Sequence, residues 1–507
     1  MESTYRQQIV EKEGTVFPAK TYKEMVLEPA FDQAKLNFIH PMIQNHYAHL
    51  IMLVEQGLVS KSEAVEIAKA VKKINIEELE KASYTGRFED LFFQIEHFLI
   101  KEAGDIAGNL HIARSRNDMG IAIYRMTLRE RLLKLIEAAL NLRKSLIELT
   151  DEHKDTVMIG YTHTQQAQPT TLGHYFNAMC DLLTRDIKRL FHAYQTINRS
   201  SMGAAALTTS GFPINRLRVQ ELLGFDEMID NSWDAVSGAD YIGEAATAVQ
   251  LAGINLGRST QDLLLWGTQE FGAFKLAAPY VQISSIMPQK RNPVSIEHMR
   301  SLLSSVVGNT QTVLMMMHNT PFGDIVDTED DMQPYIWNAM ETLQGVYNLL
   351  SSVLMTMDVD REKLLNRAKE SFANVTELAD TLVRTNNLSF RKAHEIVSSA
   401  VKGLTQLGKE SLKDFTLDHL NEHAVKIIGS PLNLTEEELR NALSPEHFIQ
   451  IRNLEGGPSP ERMVKTIEVR KEEQVKLNAW LEERRASLKA SKEKVEAILT
   501  EWMNAND

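Results

Sequence analysis

A short segment between two prolines carries the side chains that acid–base chemistry on a small anion requires. Residues 282–293 read QISSIMPQKRNP and include Ser284, Lys290 and Asn292. A serine hydroxyl can act as a base or a nucleophile, an ammonium group supplies a fixed positive charge, and an amide can orient an oxygen. The last proline opens a predicted helix that contains Glu297. The segment therefore favours a loop that closes over a small anionic substrate, although an ordinary connecting loop fits the same composition.

Long helices must position this loop. Apolar residues recur every three or four positions over residues 118–153, which predicts a long amphipathic helix. Similar patterns predict further long helices over 171–199, 239–267, 295–317 and 335–357. Helices of this length pack into bundles, and apolar faces on several sides indicate partner subunits. We therefore predict a mainly all-α protein with a central bundle of long helices.

The two ends of the chain contain shorter predicted helices, so we predict three domains. The N-terminal helical domain spans residues 1–116, the bundle domain with the 282–293 loop spans 117–371, and the C-terminal helical domain spans 372–507. The shorter predicted helices lie at 48–56, 61–73, 374–384, 392–407 and from about Pro460.

Composition and charge exclude several classes of protein. The chain has 507 residues, a net charge of −13 and one cysteine, Cys180, which indicates a reducing compartment such as the cytoplasm. The net charge argues against nonspecific nucleic-acid binding. The chain has no signal-peptide core, and no apolar run approaches the roughly 18 residues of a membrane span. We assign no metal site from the histidines and expect no cofactor.

Three segments resemble known motifs. Residues 282–293 resemble the signature loop of the fumarase/aspartase superfamily, G-S-S-x-M-P-x-K-x-N-P, with Ile283 in place of the glycine. Residues 109–118, NLHIARSRND, and 160–169, GYTHTQQAQP, are similar to motifs of the argininosuccinate lyases. The resemblance covers about residues 48–462. It implies a three-domain homotetramer with a twenty-helix core and active sites that are each built from three subunits.

The resemblance also implies a reaction, the reversible anti elimination of fumarate from an N-substituted aspartate. Ser284 would be the base, acting as an alkoxide, and Lys290 would neutralise the doubly charged aci-carboxylate intermediate. Asn292 would donate a hydrogen bond to the same carboxylate.

The other two motifs would grip the fumaryl half. Arg116 and Asn117 match a carboxylate-binding pair, with Ser115 beside them, and a guanidinium group can bind a carboxylate through two hydrogen bonds. Thr162 would bind a carboxylate too. The resemblance pairs His163 with Glu297, and whether this histidine donates a proton, relays one or binds substrate stays open.

The segment after the signature loop departs from argininosuccinate lyases. Residues 321–334 read PFGDIVDTEDDMQP where the family resembles P-L-A-Y-N-K-D-L-Q-E-D-K-E-P. Asp324, Glu329 and Met332 replace a tyrosine, a glutamine and a lysine that contact the arginine half, so the local charge falls by three. Further departures from the family motifs are Gln166, Met119, Gly238 and Ala239.

The expected function is therefore a carbon–nitrogen lyase whose small-molecule substrates are fumarate and an amine or amino acid other than arginine. The ethylenediamine-disuccinate lyases, which act on aminopolycarboxylates, are a concrete candidate branch. An authentic argininosuccinate lyase is the alternative within this class. A non-catalytic, crystallin-like member of the family is the alternative outside it.

Overall fold

The N-terminal region is helical in the computed structural model, which describes residues 4–409 and 411–504. Its helices are α1 (Tyr5–Glu13), α2 (Lys20–Tyr22), a π-helical turn (Lys23–Leu27), α3 (Glu28–Asn37), α4 (Ile39–Glu55), α5 (Lys61–Lys72), α6 (Ile76–Lys81), α7 (Leu91–Ala103) and a 3-10 segment (Gly104–His111). The apolar faces of α4, α5 and α7 belong to the same buried core as the long central helices. The N-terminal region is thus packed on the bundle without a separate core.

The central region contains the long helices, joined by short strands. Its helices are α8 (Arg116–Glu152), α9 (Leu172–Ile197), α10 (Arg216–Leu222), α11 (Ser232–Ser237), α12 (Asp240–Trp266), α13 (Val294–Met317), α14 (Gln333–Thr356) and α15 (Arg361–Lys369), with 3-10 turns at Ala278–Tyr280 and Val326–Thr328. Its strands are β1 (Val157–Thr162), β2 (Gln165–Thr171), β3 (Arg199–Ser200), β4 (Glu227–Met228), β5 (Phe274–Lys275), β6 (Gln282–Ile283), β7 (Arg291–Asn292) and β8 (Asp358–Val359). The strands pair as β1–β2, β3–β4, β5–β8 and β6–β7, and all but β3–β4 are antiparallel.

Five long helices form a closed bundle. Helix α8 packs on α9, α9 on α12, α12 on α13, α13 on α14, and α14 returns to α8. All five helices were predicted from the spacing of apolar residues, with ends within two residues of those observed. The predicted all-α fold with a central long-helix bundle is confirmed. Among the described residues, no helix is long and apolar enough to cross a membrane.

The C-terminal region separates into a lobe and a returning helix. The lobe contains α16 (Val375–Asn386), α17 (Phe390–Gln406), a 3-10 turn (Leu412–Asp414), α18 (Leu417–Ile428), α19 (Glu436–Ala442) and α20 (Pro445–Gln450), most of which share a small core of their own. Helix α21 (Pro460–Asn504) instead packs along α8 and contributes to the main core.

The sequence explains why α21 leaves the lobe. Helix α21 is polar on average, but it has a narrow stripe of buried residues spaced seven apart. They are Ile467, Gln474, Leu481, Leu488, Val495 and Trp502. A seven-residue repeat keeps one face of a helix against a partner helix. Ion pairs flank the stripe, including Arg485 with Glu137 and Lys492 with Glu130. The sequence prediction placed this helix in the C-terminal domain; the domain boundaries at 116 and 371 stay a prediction.

Candidate functional site

Ser115 and Asn117 form a fixed turn at the start of α8. Ser115 caps the helix, and its hydroxyl donates to Asn117 Oδ1 at 2.8 Å while it accepts from the Asn117 backbone N–H at 3.3 Å. Because Oδ1 is engaged, the amide nitrogen of Asn117 is the atom left to donate outward. The structure therefore gives Ser115 a role in orienting Asn117, which is the group suited to hold an anion.

The buried carboxylate of Asp118 anchors this turn. Asp118 accepts the backbone N–H groups of Ser115, Gly203 and Ala205 at 2.8–3.0 Å. Burial raises the pKa of Asp118 to about 6, opposed by these backbone donors. Sequence analysis did not identify Asp118, although an Asp three residues after a capping Ser signals such a turn. The neighbouring Arg114 is also buried and bonds the His46 ring at 3.0 Å.

Arg116 lies in a cleft of about 560 Å³ between the N-terminal helices, α8 and residues 324–331. Its guanidinium group donates to Asp90 at 2.7 Å and Glu89 at 3.2 Å and lies 4.6 Å from the centre of the Phe93 ring. Apolar side chains form one wall of the cleft, among them Val26, Leu27, Phe31 and Phe38. The cleft can thus hold an anion at Arg116 and an aliphatic chain beside it.

Carboxylates of residues 324–331 also line the cleft. Asp324 accepts a hydrogen bond from the Asn117 amide, and Asp330 accepts one from the Tyr124 hydroxyl at 2.6 Å. Burial and the nearby carboxyl group of Asp324 raise the pKa of Glu329 to about 9. Of the acidic replacements expected near the amine, Asp324 thus contacts Asn117 and Glu329 lies beside Asp324.

Met332 departs from the predicted arrangement. The sequence analysis placed it against the amine, but the structure buries its side chain completely in the main core, just before α14. An apolar thioether is stable there, whereas a lysine at this position would have to carry its charge out to the cleft. Met332 therefore contributes to packing and does not line the cleft.

The signature loop is a hairpin that projects from the bundle. Strands β6 and β7 pair Gln282 with Asn292 and close the loop, and Ile283 and Ile286 on it are 75% and 82% exposed. Ser284 Oγ accepts from the backbone N–H groups of Met287 at 3.1 Å and Ile286 at 3.4 Å. Two backbone donors on one hydroxyl oxygen stabilise its anion.

The other residues predicted in and after this loop lie on its return strand and at the start of α13. Lys290 is exposed near the end of the loop, and Asn292 is half-buried in β7. Glu297 lies exposed in the first turn of α13. Ser284 is half-buried, whereas Lys290 on the same loop is exposed.

Thr162 and His163 lie at the tip of a second hairpin. Strands β1 and β2 form this hairpin through a two-residue turn. Both turn residues, His163 and Thr164, have positive φ (51° and 62°). Positive φ at both positions is typical of a tight type I′ hairpin turn and is uncommon for residues other than glycine. Thr162 and His163 are both exposed in this turn.

The predicted site residues form three separate groups in one chain. Among the described residues that line the cleft are Arg116, Asn117, Asp324 and Glu329, but none from the 282–293 loop or the β1–β2 turn. The Asn117–Asp324 hydrogen bond joins two of the predicted segments.

One histidine pair was missed in the sequence. His419 and His423 lie one turn apart on α18, a spacing that suits a metal ion. Their ring nitrogens already bond the Ala400 carbonyl at 3.0 Å and the Ser399 hydroxyl at 2.8 Å. In the described part of the chain, no group of three or more histidine, cysteine or acidic side chains could hold a metal ion.

The family models and known proteins that are similar to this chain are all lyases. Residues 52–308 match the family model described as Lyase, and residues 372–450 match Argininosuccinate lyase C-terminal. Argininosuccinate lyase 2 of Agrobacterium fabrum is 42% identical over 450 residues, which is 88% of this chain and 89% of that protein. Two solved structures are similar at 30% identity over 98% of each chain: an EDDS lyase variant with bound fumarate, TM-score 0.85, and EDDS lyase with formate, TM-score 0.86.

Proposed function

Because the chain belongs to the argininosuccinate lyase family of the fumarase/aspartase superfamily, we propose that it releases fumarate from an N-substituted aspartate whose leaving amine is cationic. The protein is a carbon–nitrogen lyase that releases fumarate. The chemical class of the amine and the residues that carry out the elimination are proposed below. The observation that carries it is the acidic wall of the cleft, which lies against Asn117.

Ser284 begins the elimination as an alkoxide. It removes a proton from the carbon next to a carboxylate, which leaves an aci-carboxylate dianion, and the electron pair then expels the amine nitrogen. Its two backbone donors lower the cost of forming the alkoxide. Lys290 and Asn292, on the same loop, stabilise the dianion, and each well-placed donor is worth roughly 3–4 kcal/mol of barrier.

Arg116, Asn117 and Thr162 hold the carboxylates of the fumaryl half. Asn117 is well suited because Ser115 fixes its amide with the nitrogen outward. His163 pairs with Glu297 of another subunit, which orients the imidazole and gives it a route to exchange a proton. These contacts leave the nitrogen side of the substrate facing residues 324–331.

Assembly into a homotetramer brings the three groups of residues together. The loop and the β1–β2 turn are exposed in one chain, and the cleft includes neither. Bundle helices also expose apolar side chains, with Ile254 and Leu265 on α12 and Leu302 and Met315 on α13 exposed by 42–62%. Exposed apolar faces of this kind support an extended helix–helix interface between subunits.

The amine pocket attracts positive charge. The cleft carries one guanidinium group, Arg116, already paired with two carboxylates, and four further acidic residues: Asp324, Glu329, Asp330 and Asp331. An ammonium group about 4 Å from one carboxylate near a protein surface gains roughly 4 kcal/mol of Coulomb energy before desolvation. An N-succinyl diamine, the class that includes ethylenediamine disuccinate, would place a second cationic nitrogen there.

Incubation of the purified protein with fumarate and a panel of amines tests this proposal. Ethylenediamine and propylamine are matched in size but differ by one charge, so ethylenediamine should react with the higher kcat/KM. Loss of fumarate absorbance and the mass of the adduct measure the reaction. A panel in which propylamine reacts as well as ethylenediamine would contradict the cationic pocket.

Argininosuccinate lyase activity is the second candidate, favoured by the 42% identity to a protein of that name. The loss of the lysine at position 332 and the acidic residues at 324 and 329 act against binding of arginine through its α-carboxylate. Arginine is therefore expected to be a poor partner for fumarate in the same panel. Efficient formation of argininosuccinate would favour the second candidate.

A further inference from the structure

The carboxylate-binding amide of Asn117 is already occupied by a carboxylate of the protein. Ser115 holds Asn117 Oδ1, so the amide nitrogen faces the cleft, and Asp324 Oδ2 accepts its hydrogen bond. An Asn amide that donates to one carboxylate oxygen has the geometry needed to donate to another. Asp324 therefore lies where the proposed function places a carboxylate of the substrate.

The side chain of Asp324 can reorient. It is exposed, and it lies in the irregular stretch between Pro321 and the 3-10 turn Val326–Thr328, so its side chain can rotate without disturbing a helix. By contrast, Asp330 is bonded to the buried Tyr124, and Arg116 is held by Asp90 and Glu89.

Glu329 gives Asp324 a second partner. The two carboxyl groups lie within hydrogen-bonding reach, and Glu329 is the more enclosed of the two. Two carboxyl groups this close share one proton more readily than they carry two charges. Burial and Asp324 raise the pKa of Glu329, and its neutral carboxyl group can donate a hydrogen bond to Asp324.

We propose that Asp324 is an internal stand-in for the substrate's carboxylate, which gives up Asn117 when that carboxylate arrives and then pairs with the ammonium group of the amine. Both halves of this inference rest on the proposed function, the first on its carboxylate site at Asn117 and the second on its cationic amine. Fumarate then binds before the amine and strengthens amine binding. By thermodynamic linkage, the amine strengthens fumarate binding by the same factor.

Titration calorimetry with succinate, an unreactive dicarboxylate, tests the first half without any amine. Asp324→Ala removes the competing acceptor and should bind succinate about five- to tenfold more tightly than the wild type, a typical size for such coupling. Asp331→Asn loses the same charge in the same cleft but does not touch Asn117, so its gain should be smaller. Equal gains in the two variants would overturn the inference, because charge alone would then explain them.

A second titration tests the release of Asp324 toward the amine. Ethylenediamine should bind the wild type more tightly when succinate is present, and Asp324→Asn, which is nearly isosteric and should fold normally, should lose this coupling. Absence of coupling in the wild type would overturn the second half. If no amine reacts with fumarate, the proposed function fails, while the succinate titration still decides whether Asp324 occupies the carboxylate site.

Discussion

At the scale of single residues, hydrogen bonds within the chain orient two of the groups that we propose act on the substrate. Ser284 receives two backbone hydrogen bonds on its hydroxyl oxygen, and Asn117 is turned outward by Ser115. The identity of these residues was predicted from sequence motifs. Their orientation was not, because hydrogen bonds to backbone groups depend on loop geometry that residue type does not encode.

Replacement of Ser284 by alanine is expected to lower turnover by about 10²- to 10⁴-fold, the usual contribution of a general base. The side chain is small and makes no contact in a core, so the fold and the oligomeric state should stay unchanged. Steady-state rates with the best amine and light scattering measure the two effects. A variant with normal turnover would exclude Ser284 as the base.

Glu329 should make amine recognition depend on pH. Its pKa is raised to about 9 by burial and by Asp324, so its carboxyl group is neutral below that pH and negatively charged above it. An amine with a permanently charged trimethylammonium group should therefore bind more tightly as pH rises through 9. Glu329→Gln should remove this rise, since its amide cannot ionise, and the same slope in both proteins would assign the effect to another group.

At the scale of elements, the turn before α8 connects the core to the cleft. Asp118 fixes this turn through backbone N–H groups of its own segment and of residues 203 and 205. The helix itself was predicted by apolar spacing, which persists over its whole length. The β1–β2 hairpin was not predicted, because GYTHTQQAQP lacks the alternation of apolar and polar residues that marks a strand.

Asp118→Asn should destabilise the protein by about 2–4 kcal/mol, because an amide nitrogen would then face backbone donors and leave buried groups unsatisfied. Thermal unfolding measures the loss. Asp105→Asn makes the same chemical change at an exposed position of the neighbouring 3-10 segment and serves as the control. Comparable stability of both variants would show that Asp118 does not anchor the turn.

At the scale of the whole molecule, a shared active site should allow defective subunits to complement each other. Mixing equal amounts of the inactive variants Ser284→Ala and Asn117→Ala and reassembling them should restore up to about a quarter of wild-type activity. Each site would take Ser284 from one subunit and Asn117 from another, and each of these residues is intact in half of the subunits. The measurement is turnover before and after reassembly. Full inactivity of the mixture would place both residues in the same subunit's site.

Oligomeric assembly could be inferred from sequence only through resemblance and exposed apolar faces.

The departure of α21 from the C-terminal lobe was missed because its charged residues outnumber the buried residues that repeat every seven positions. Averages over a helix hide such a narrow stripe, whereas the period of the buried residues reveals it.

The return of α21 to α8 makes the lobe an insertion with both ends anchored on the main body. The chain leaves the bundle after α15, forms the lobe, and returns through α21, and the C-terminal family model matches residues 372–450 alone. A segment with its own core and two fixed attachment points can be exchanged as a cassette, because its replacement leaves the helix pairing on either side intact. Natural recombination and laboratory chimeras among relatives could thus vary this lobe while the bundle and the three groups of proposed site residues are inherited unchanged.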